Sequence, residues 1–391
     1  MIRRQYVVRD FFREAEAMRE VLDSCFRDPY RHKVDWEYFC DPLMYAYLRT
    51  RPQRVIPKAI FDSFMQHLRQ WCLENLGLLP MQMPRLHLMV NGCRLGLHSD
   101  FHNGAWGYVY SLTRWQNRKF SGGETLLFKD GIPSYKKHQV QGEVLYDLVP
   151  AHFNQLLVFD DRVVHATPTI EGSMDPVEGR IALVGHIRAT SPVVIGHLDG
   201  AEARKVVLEA LPHLLDRIRG YREVQGTITY RLTIGLSGAV DSAVTLSDNL
   251  VTEVTGYGHS DAVSRTKSMI EKTMVTLKFP PGSGKSTVLV PLLIPLPDLR
   301  PIELVVPHDL SADLIHERVV THLAQEAPPE FHGSWEGRTY FVREPIAGSI
   351  CIEAHRITAS FAPPMWVPSQ REHFQRGLLD WVNRISTGAV R

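Results

Sequence analysis

Between Arg85 and Arg188 the chain is a succession of short alternating segments, RLHLMVNG, GAWGYVYSLTRW, GGETLLFKDG, GEVLYDL, NQLLVFDD and RIALVGHIRA, broken by Gly, Asp and Asn turns. Alternation with period two sends successive side chains to opposite faces, and strands this short at this spacing build a barrel or sandwich rather than a bundle. The preceding stretch, Val7 to about Leu79, carries apolar residues mostly at helical spacing. Phe11, Phe12, Met18, Val21, Leu22, Phe61, Phe64, Leu68 and Trp71 form its expected buried stripe, which predicts a helical layer supporting the β region.

Beyond Arg188 the texture changes again. Asp199 is placed to cap an amphipathic helix, AEARKVVLEALPHLLDRIRGY, which Pro212 would kink or restart. TITYRLTIGLSGAVDSAVTLSDN reads as two strands around a turn, followed by a helix near Ser264 to Met274. TMVTLKF and STVLVPLLI then flank a Pro-Gly-Ser-Gly turn as an expected hairpin. After the proline-rich PLPDLRP come a helix at about Ala312 to Gln325, strands in TYFVRE, GSICIEA and HRITASFA, and a helix at about Gln370 to Ile385. A length of 391 residues predicts about two or three domains. The expected division is 1–198, a linker helix 199–222, a small α+β domain 223–298 and a small α/β domain 299–391. The fold class is therefore mixed α and β, multidomain.

Composition excludes several roles. With 44 Lys and Arg against 43 Asp and Glu, there is no global field for nucleic acid or an anionic membrane. The five cysteines are scattered without a CxxC spacing, so neither a disulfide framework nor a zinc site is expected. The N-terminal MIRRQYVVRDFFRE lacks the apolar core of a secretory leader, and the longest apolar run, Val288 to Pro297, is too short to span a bilayer. The expectation is a cytoplasmic chain with no membrane insertion.

The chemistry-bearing set is His98-Ser99-Asp100 at the end of one strand, His165 at the end of another and Arg180 opening a third. Residues two apart on a strand share a face, so His98 and Asp100 converge on one ion and His165 completes the set. Two imidazoles and one carboxylate leave open positions, the pattern of non-haem Fe(II) that also binds a co-substrate and O2. Arg180 shares a face with Ala182 and Val184, which directs its guanidinium into the barrel to grip a carboxylate, the far end of 2-oxoglutarate. Arg188 shares that face but lies about 26 Å further along, which places it too far from a metal at His165. Tyr108 and Tyr110 fall on one side of their strand and are candidates to line the co-substrate site. Arg94, His102 and Trp106 bracket the metal motif and are candidates for the substrate mouth.

From Met83 to Arg188 this order of motifs resembles the Fe(II)/2-oxoglutarate-dependent dioxygenases, prolyl-hydroxylase-like branch: HxD, then Gly122-Gly123-Glu124-Thr125-Leu126, then Phe159-Asp160, His165 before Thr-Pro, and the arginine. The resemblance implies an N-terminal double-stranded β-helix (jelly roll) with helical support, Fe(II), 2-oxoglutarate and O2, and hydroxylation of a C–H bond with succinate and CO2 as co-products. A peptide or protein side chain is the implied substrate. A free amino acid or natural-product small molecule is the alternative, and a non-catalytic scaffold with a degenerate core is a further one. The sequence departs from the family in the longer gap between His165 and Arg180, caused by EGSMDPVEG. Because Asp100 is retained, hydroxylation is favoured over halogenation.

Other signals carry less. Pro281-Gly282-Ser283-Gly284-Lys285-Ser286-Thr287 looks like a phosphate-binding loop, but the following VLVPLLIPLP is unsuited to the helix such a loop must open. His316-Glu317 lacks a second histidine four residues after the first, where Val320 stands. Residues 225–295 resemble a TonB/gliding-protein C-terminal-like domain, through GTITYRLTIGLSGAV, and residues 306–385 resemble a polyhydroxyalkanoate-granule-associated family, through HDLSADLIHERV. Either module is a possible docking point for a protein partner.

Overall fold

The computed structural model describes residues 5–28, 30, 36–41, 43–80, 83–129, 145–188, 191–218, 224–252, 260–295, 300–326, 332–344, 347–362 and 368–387. The turn expected after Lys129 (130–144), part of the proline-rich stretch (296–299) and the end of the linker (219–223) lie outside them. The chain divides into two compact units: residues 4–70 with 82–187, and residues 1–3, 71–81 and 188–391.

In the first unit the alternating sequence forms eight strands: β1 Arg85–Met89, β2 Arg94–His98, β3 Trp106–Ser111, β4 Thr125–Phe128, β5 Tyr146–Val149, β6 Gln155–Asp160, β7 His165–Thr167 and β8 Arg180–Arg188. They pair antiparallel in two runs, β1-β8-β3-β6 and β2-β7-β4-β5. Each of β1/β8, β2/β7, β3/β6 and β4/β5 is a neighbouring pair, the result of folding one long hairpin over on itself, and this order is that of a jelly roll. Between the two layers lies a core of Val109, Leu127, Val149, Leu157, Phe159 and Ala182.

The helical expectation for the first eighty residues holds at Ala15–Phe26 and Lys58–Asn75 and fails before and between them, Gln5–Val8 being a strand paired antiparallel with β6. Glu37–Asp41 and Tyr45–Thr50 pair as a hairpin, and Tyr45–Thr50 also pairs with β1 and β2, bridging the two runs. EYFCD and YAYLRT are rich in aromatic residues that suit a pleated surface, and their cross-strand partners override the helical periodicity. Residues of the N-terminal region cover the outer face of β3: Phe64 of the helix Lys58–Asn75 and Phe11 lie 4.7 and 5.8 Å from the Tyr110 ring, and Tyr6, on the strand Gln5–Val8, 5.6 Å from that of Trp106. Arg19, on the first helix and fully buried, donates to Asp23 at 2.7 Å, to the Leu112 carbonyl at 2.7 Å and to the Val177 carbonyl. It thereby ties down the long segment between His165 and Arg180.

The second unit holds two five-stranded sheets. In one, Ser286–Ile294 lies between Val193–Gly196 and Val224–Ile234, and Val240–Asp248 with Val251–Thr252 completes it. The hairpin expected between TMVTLKF and STVLVPLLI does not form. TMV ends the helix Ser260–Val275, and STVLVPLLI takes Val224–Ile234 as its partner over nine residues. The stretch that looks like a phosphate-binding loop opens this strand and no helix. Its Ser286 hydroxyl accepts from the His197 and Leu198 amides. The second sheet runs Ile302–Pro307, Arg356–Phe361, Gly348–Ile352, Thr339–Glu344, His332–Glu336, with its core against the helices Ala312–Glu326 and Pro368–Thr387.

Asp199 caps the helix Gly200–Ile218 by accepting from Ala201 and Glu202 amides, and Pro212 sits inside that helix without ending it. The unit also takes residues 71–81 from the N-terminal region. Leu73 and Leu79 pack with Leu289, Val193 and Leu246, and the Ser247 hydroxyl donates to the Leu76 carbonyl at 2.9 Å. This unit therefore joins residues 71–81 to the chain from residue 188 onward. Among the described residues, no helix is long and apolar enough to cross a membrane.

Candidate metal centre

His98 ends β2 and His165 opens β7, and the two are direct cross-strand partners, with ring centroids 4.3 Å apart. Each imidazole is locked by its own strand: His98 Nδ1 lies 2.7 Å from the Gly96 carbonyl and His165 Nδ1 2.9 Å from the Val163 carbonyl. A carbonyl only accepts, so Nδ1 carries the proton and Nε2 presents a lone pair. Both Nε2 atoms face one oxygen of Asp100, at 3.7 Å from His98 and 3.4 Å from His165. Neighbouring ligands on a six-coordinate ion with bonds of about 2.1 Å lie about 3 Å apart. These separations would have to shorten by about 0.4–0.7 Å to hold a divalent metal, and the donor set of two imidazoles and a carboxylate fits Fe(II).

The Asp100 arm is itself tethered. Its amide donates to the Asp161 carbonyl at 2.9 Å, and the Asn103 side chain donates to Oδ1 at 3.1 Å, which leaves Oδ2 to face the imidazoles. Burial pushes the Asp100 carboxyl up, but His165, His186 and His98 outweigh it and bring it down to about 2. Burial, with the neighbouring His165, lowers the His98 imidazole. Both shifts favour the ligand forms, a carboxylate and a neutral imidazole.

Arg180 opens β8 and is 2% exposed. Ala182 and Val184, on its face of the strand, pack in the inner core beside Phe159, whose ring is 4.8 Å from His165. Its Nε donates to the Gly123 carbonyl at 2.8 Å and Nη1 lies 3.6 Å from the Met89 sulfur. No carboxylate among the described residues comes within ion-pair distance of it, since Glu124 pairs with Arg118 at 3.9 Å. Burial lowers this guanidinium to about 10, partly offset by the more distant Glu124. The same inner face ends at His186, which offers a nitrogen within 4.8 Å of a carboxylate oxygen of Asp100. The strand therefore passes the metal site near its far end, with Arg180 about 20 Å back along it. This corrects the distance argument against Arg188, which follows His186 by two residues. Both arginines are engaged within the folded chain, Arg180 through Gly123 and Met89 and Arg188 through interactions of its own.

The structure brings other residues to the site that the motif pattern did not single out. Tyr45 stands edge-on to His98 at 5.6 Å, and Tyr47 lies 4.5 Å from His87. His87 is 7% exposed. Burial, helped by Arg180, Arg49 and Arg85 and opposed by Asp100, pushes its imidazole down to about 3. A histidine alternating within RLHLM, and tyrosines in a segment with helical spacing, gave no signal distinguishing them from core.

Tyr108, Tyr110 and Trp106 are not brought to the triad. β3 presents Val109 to the inner core, so its even positions face outward. The Tyr110 hydroxyl donates to Asn154 at 2.9 Å, the Tyr110 ring packs tilted against Phe64, and Trp106 meets Tyr6 edge-on. The alternation was right, but only the fold decides which parity is inside. His102 is exposed with its ring on Phe101, 3.6 Å between centroids, and Arg94 pairs in the ladder with Ala46.

No family model matches the chain, and no curated protein matches it, so the resemblances of 225–295 and 306–385 gain no support. Among solved structures, a prolyl-4-hydroxylase from Pseudomonas putida is similar at 18% identity and TM-score 0.33, covering 47% of this chain and 91% of its own. A prolyl hydroxylase from Trichoplax adhaerens, in complex with a hypoxia-inducible-factor peptide fragment, is similar at 14% identity and TM-score 0.32, covering 46% and 81%. An oxidoreductase of the 2OG-Fe(II) oxygenase family from Burkholderia pseudomallei is similar at 14% identity and TM-score 0.33, covering 46% and 83%. Likenesses of this size leave strand order and triad geometry as the basis for reading the site.

Proposed function

We propose that the first unit is an Fe(II)- and 2-oxoglutarate-dependent dioxygenase that hydroxylates a C–H bond. The convergence of His98 Nε2, His165 Nε2 and Asp100 Oδ2, with both Nδ1 atoms held by carbonyls, carries this reading. A bound ferrous ion would supply the coupling of O2 reduction to 2-oxoglutarate decarboxylation, yielding succinate, CO2 and a hydroxylated substrate.

The chain's own residues do the rest. Two backbone carbonyls fix the tautomers of His98 and His165, so that neither ligand loses its lone pair to a proton. Asn103 occupies one Asp100 oxygen and reserves the other. Arg180, a buried guanidinium with no carboxylate partner among the described residues, would take the distal carboxylate of the co-substrate through the full reach of its side chain, since its backbone lies about 20 Å along the strand from His186. The Val109, Leu157 and Phe159 core excludes water from that face.

For the substrate, the reading is a peptide or protein side chain, with a free amino acid or natural-product small molecule as the alternative. The retention of His98, Asp100, His165 and Arg180 argues against a non-catalytic scaffold. The test is anaerobic titration with Fe(II) and 2-oxoglutarate, watching for the visible charge-transfer band of the chelate. Its absence would sink the enzyme reading. Succinate release in the presence of peptide pools against amino-acid mixtures then separates the substrate classes.

A further inference from the structure

Asp161 follows directly on β6 and is fully buried. Its backbone carbonyl holds the metal-motif arm, accepting from the Asp100 amide at 2.9 Å and the Ser99 hydroxyl at 3.3 Å. Its side chain points elsewhere. Oδ2 lies 3.0 Å from His186 Nδ1, and Oδ1 is buried without a hydrogen-bond partner. Space is cut for this carboxylate: a Cβ on Gly104 would come within 2.6 Å of Oδ2, and one on Gly107 would collide with Oδ1.

Stability does not account for that arrangement. A buried carboxylate with one oxygen unsatisfied costs free energy, and the backbone contacts to Asp100 and Ser99 need no carboxylate at all. The side chain's one described polar partner is His186, which offers a ring nitrogen within 4.8 Å of the Asp100 carboxylate.

Resting on the metal-site reading, we infer that Asp161 and His186 are a positioning pair for the carboxylate arm of the metal centre. Asp161 fixes the rotamer of the His186 imidazole, which offers a ring nitrogen within 4.8 Å of the Asp100 carboxylate. Asp100 is thereby held with Oδ2 toward His98 and His165. Residues that orient a ligand in this way change metal affinity without touching the metal.

The probe is Co(II), titrated anaerobically into the full chain and followed by its visible ligand-field bands, with circular dichroism and thermal melts reporting the fold. His186→Ala should weaken Co(II) binding by about 10- to 100-fold and shift the bands, while the melt stays cooperative. His186→Asn, which can still bond Asp161, should recover part of the loss. Because the two residues act as one unit, Asp161→Asn combined with His186→Ala should bind no worse than His186→Ala alone. His186 is 14% exposed at its side chain, so its variants test the idea even if substitutions at Asp161 fail to fold. Wild-type affinity and bands in His186→Ala would overturn the positioning role and leave the metal reading standing. No Co(II) binding by the wild type would overturn both. Two Co(II) per chain, falling to one in His186→Ala, would overturn positioning in favour of a second metal held by Asp100, Asp161 and His186.

Discussion

Arg19 in the helical layer and Arg180 on the inner face of the jelly roll are both almost wholly buried, at 0% and 2% exposure. Their surroundings differ completely. Arg19 directs its guanidinium to Asp23 and two backbone carbonyls, so its charge is paired and each of its three nitrogens donates. Arg180 has one carbonyl, one thioether and no carboxylate within reach among the described residues. A buried charge that is fully paired serves the fold, whereas one left without a counter-ion costs stability and implies a ligand that supplies the missing anion.

The largest expected effect lies at the end of that inner face. His98→Ala or Asp100→Ala should abolish metal binding and succinate production with the fold intact, because a three-ligand site loses a third of its anchoring. Isothermal titration with Co(II) checks it, and full turnover in Asp100→Ala would refute the site. The two arginines should then part company. Arg180→Ala should raise the apparent constant for 2-oxoglutarate by about a hundredfold to a few thousandfold, corresponding to about 3–5 kcal/mol. Arg180→Met should leave the ligand-free melting temperature unchanged or higher. Arg19→Met should lose about 3–5 kcal/mol of stability. Denaturant melts with and without 2-oxoglutarate measure both, and equal destabilisation by the two Met variants would erase the distinction.

His87 sharpens the same contrast through pH. Its folded imidazole sits near 3 against an ordinary value of about 6.5, so the fold favours its neutral form. Its contribution is fully present above about pH 6.5 and is lost as pH falls toward 3, at up to about 1.4 kcal/mol per pH unit. Urea melts at pH 7, 5.5 and 4.5 should show that slope, and His87→Gln should flatten it. The smallest effect belongs to the outer face. Tyr110→Phe removes the bond to Asn154 and should cost about 1 kcal/mol without changing the constant for 2-oxoglutarate. A large change in that constant would mean the outer face reaches the site.

The division of the chain teaches a related lesson. A chain ending at residue 220 would strip Leu289 and Leu246 from Leu73 and Leu79 and leave the Leu76 carbonyl without Ser247. We expect it to be poorly soluble, by light scattering, compared with the full chain. The linker helix and the proline-rich stretch do not reveal this, because a helix ending near residue 75 carries no mark of which later strand it will meet.

The sequence by itself determined the period-two strands of 85–188, the order of His98, Asp100, His165 and Arg180 along them, and the cap at Asp199. Each is a local property, legible from alternation, turn residues and spacing. Only the tertiary structure decided which parity of β3 faces inward, making Val109 core and sending Tyr108 and Tyr110 outward, because alternation names two faces without saying which is covered. It also decided that Glu37–Asp41 and Tyr45–Thr50 are paired strands, since cross-strand partners far along the chain outweigh local periodicity. The same holds for Asp161 and His186, 25 residues apart: nothing in either segment announces the other, and their meeting beside Asp100 exists only once β6 and β8 have folded against the same layer.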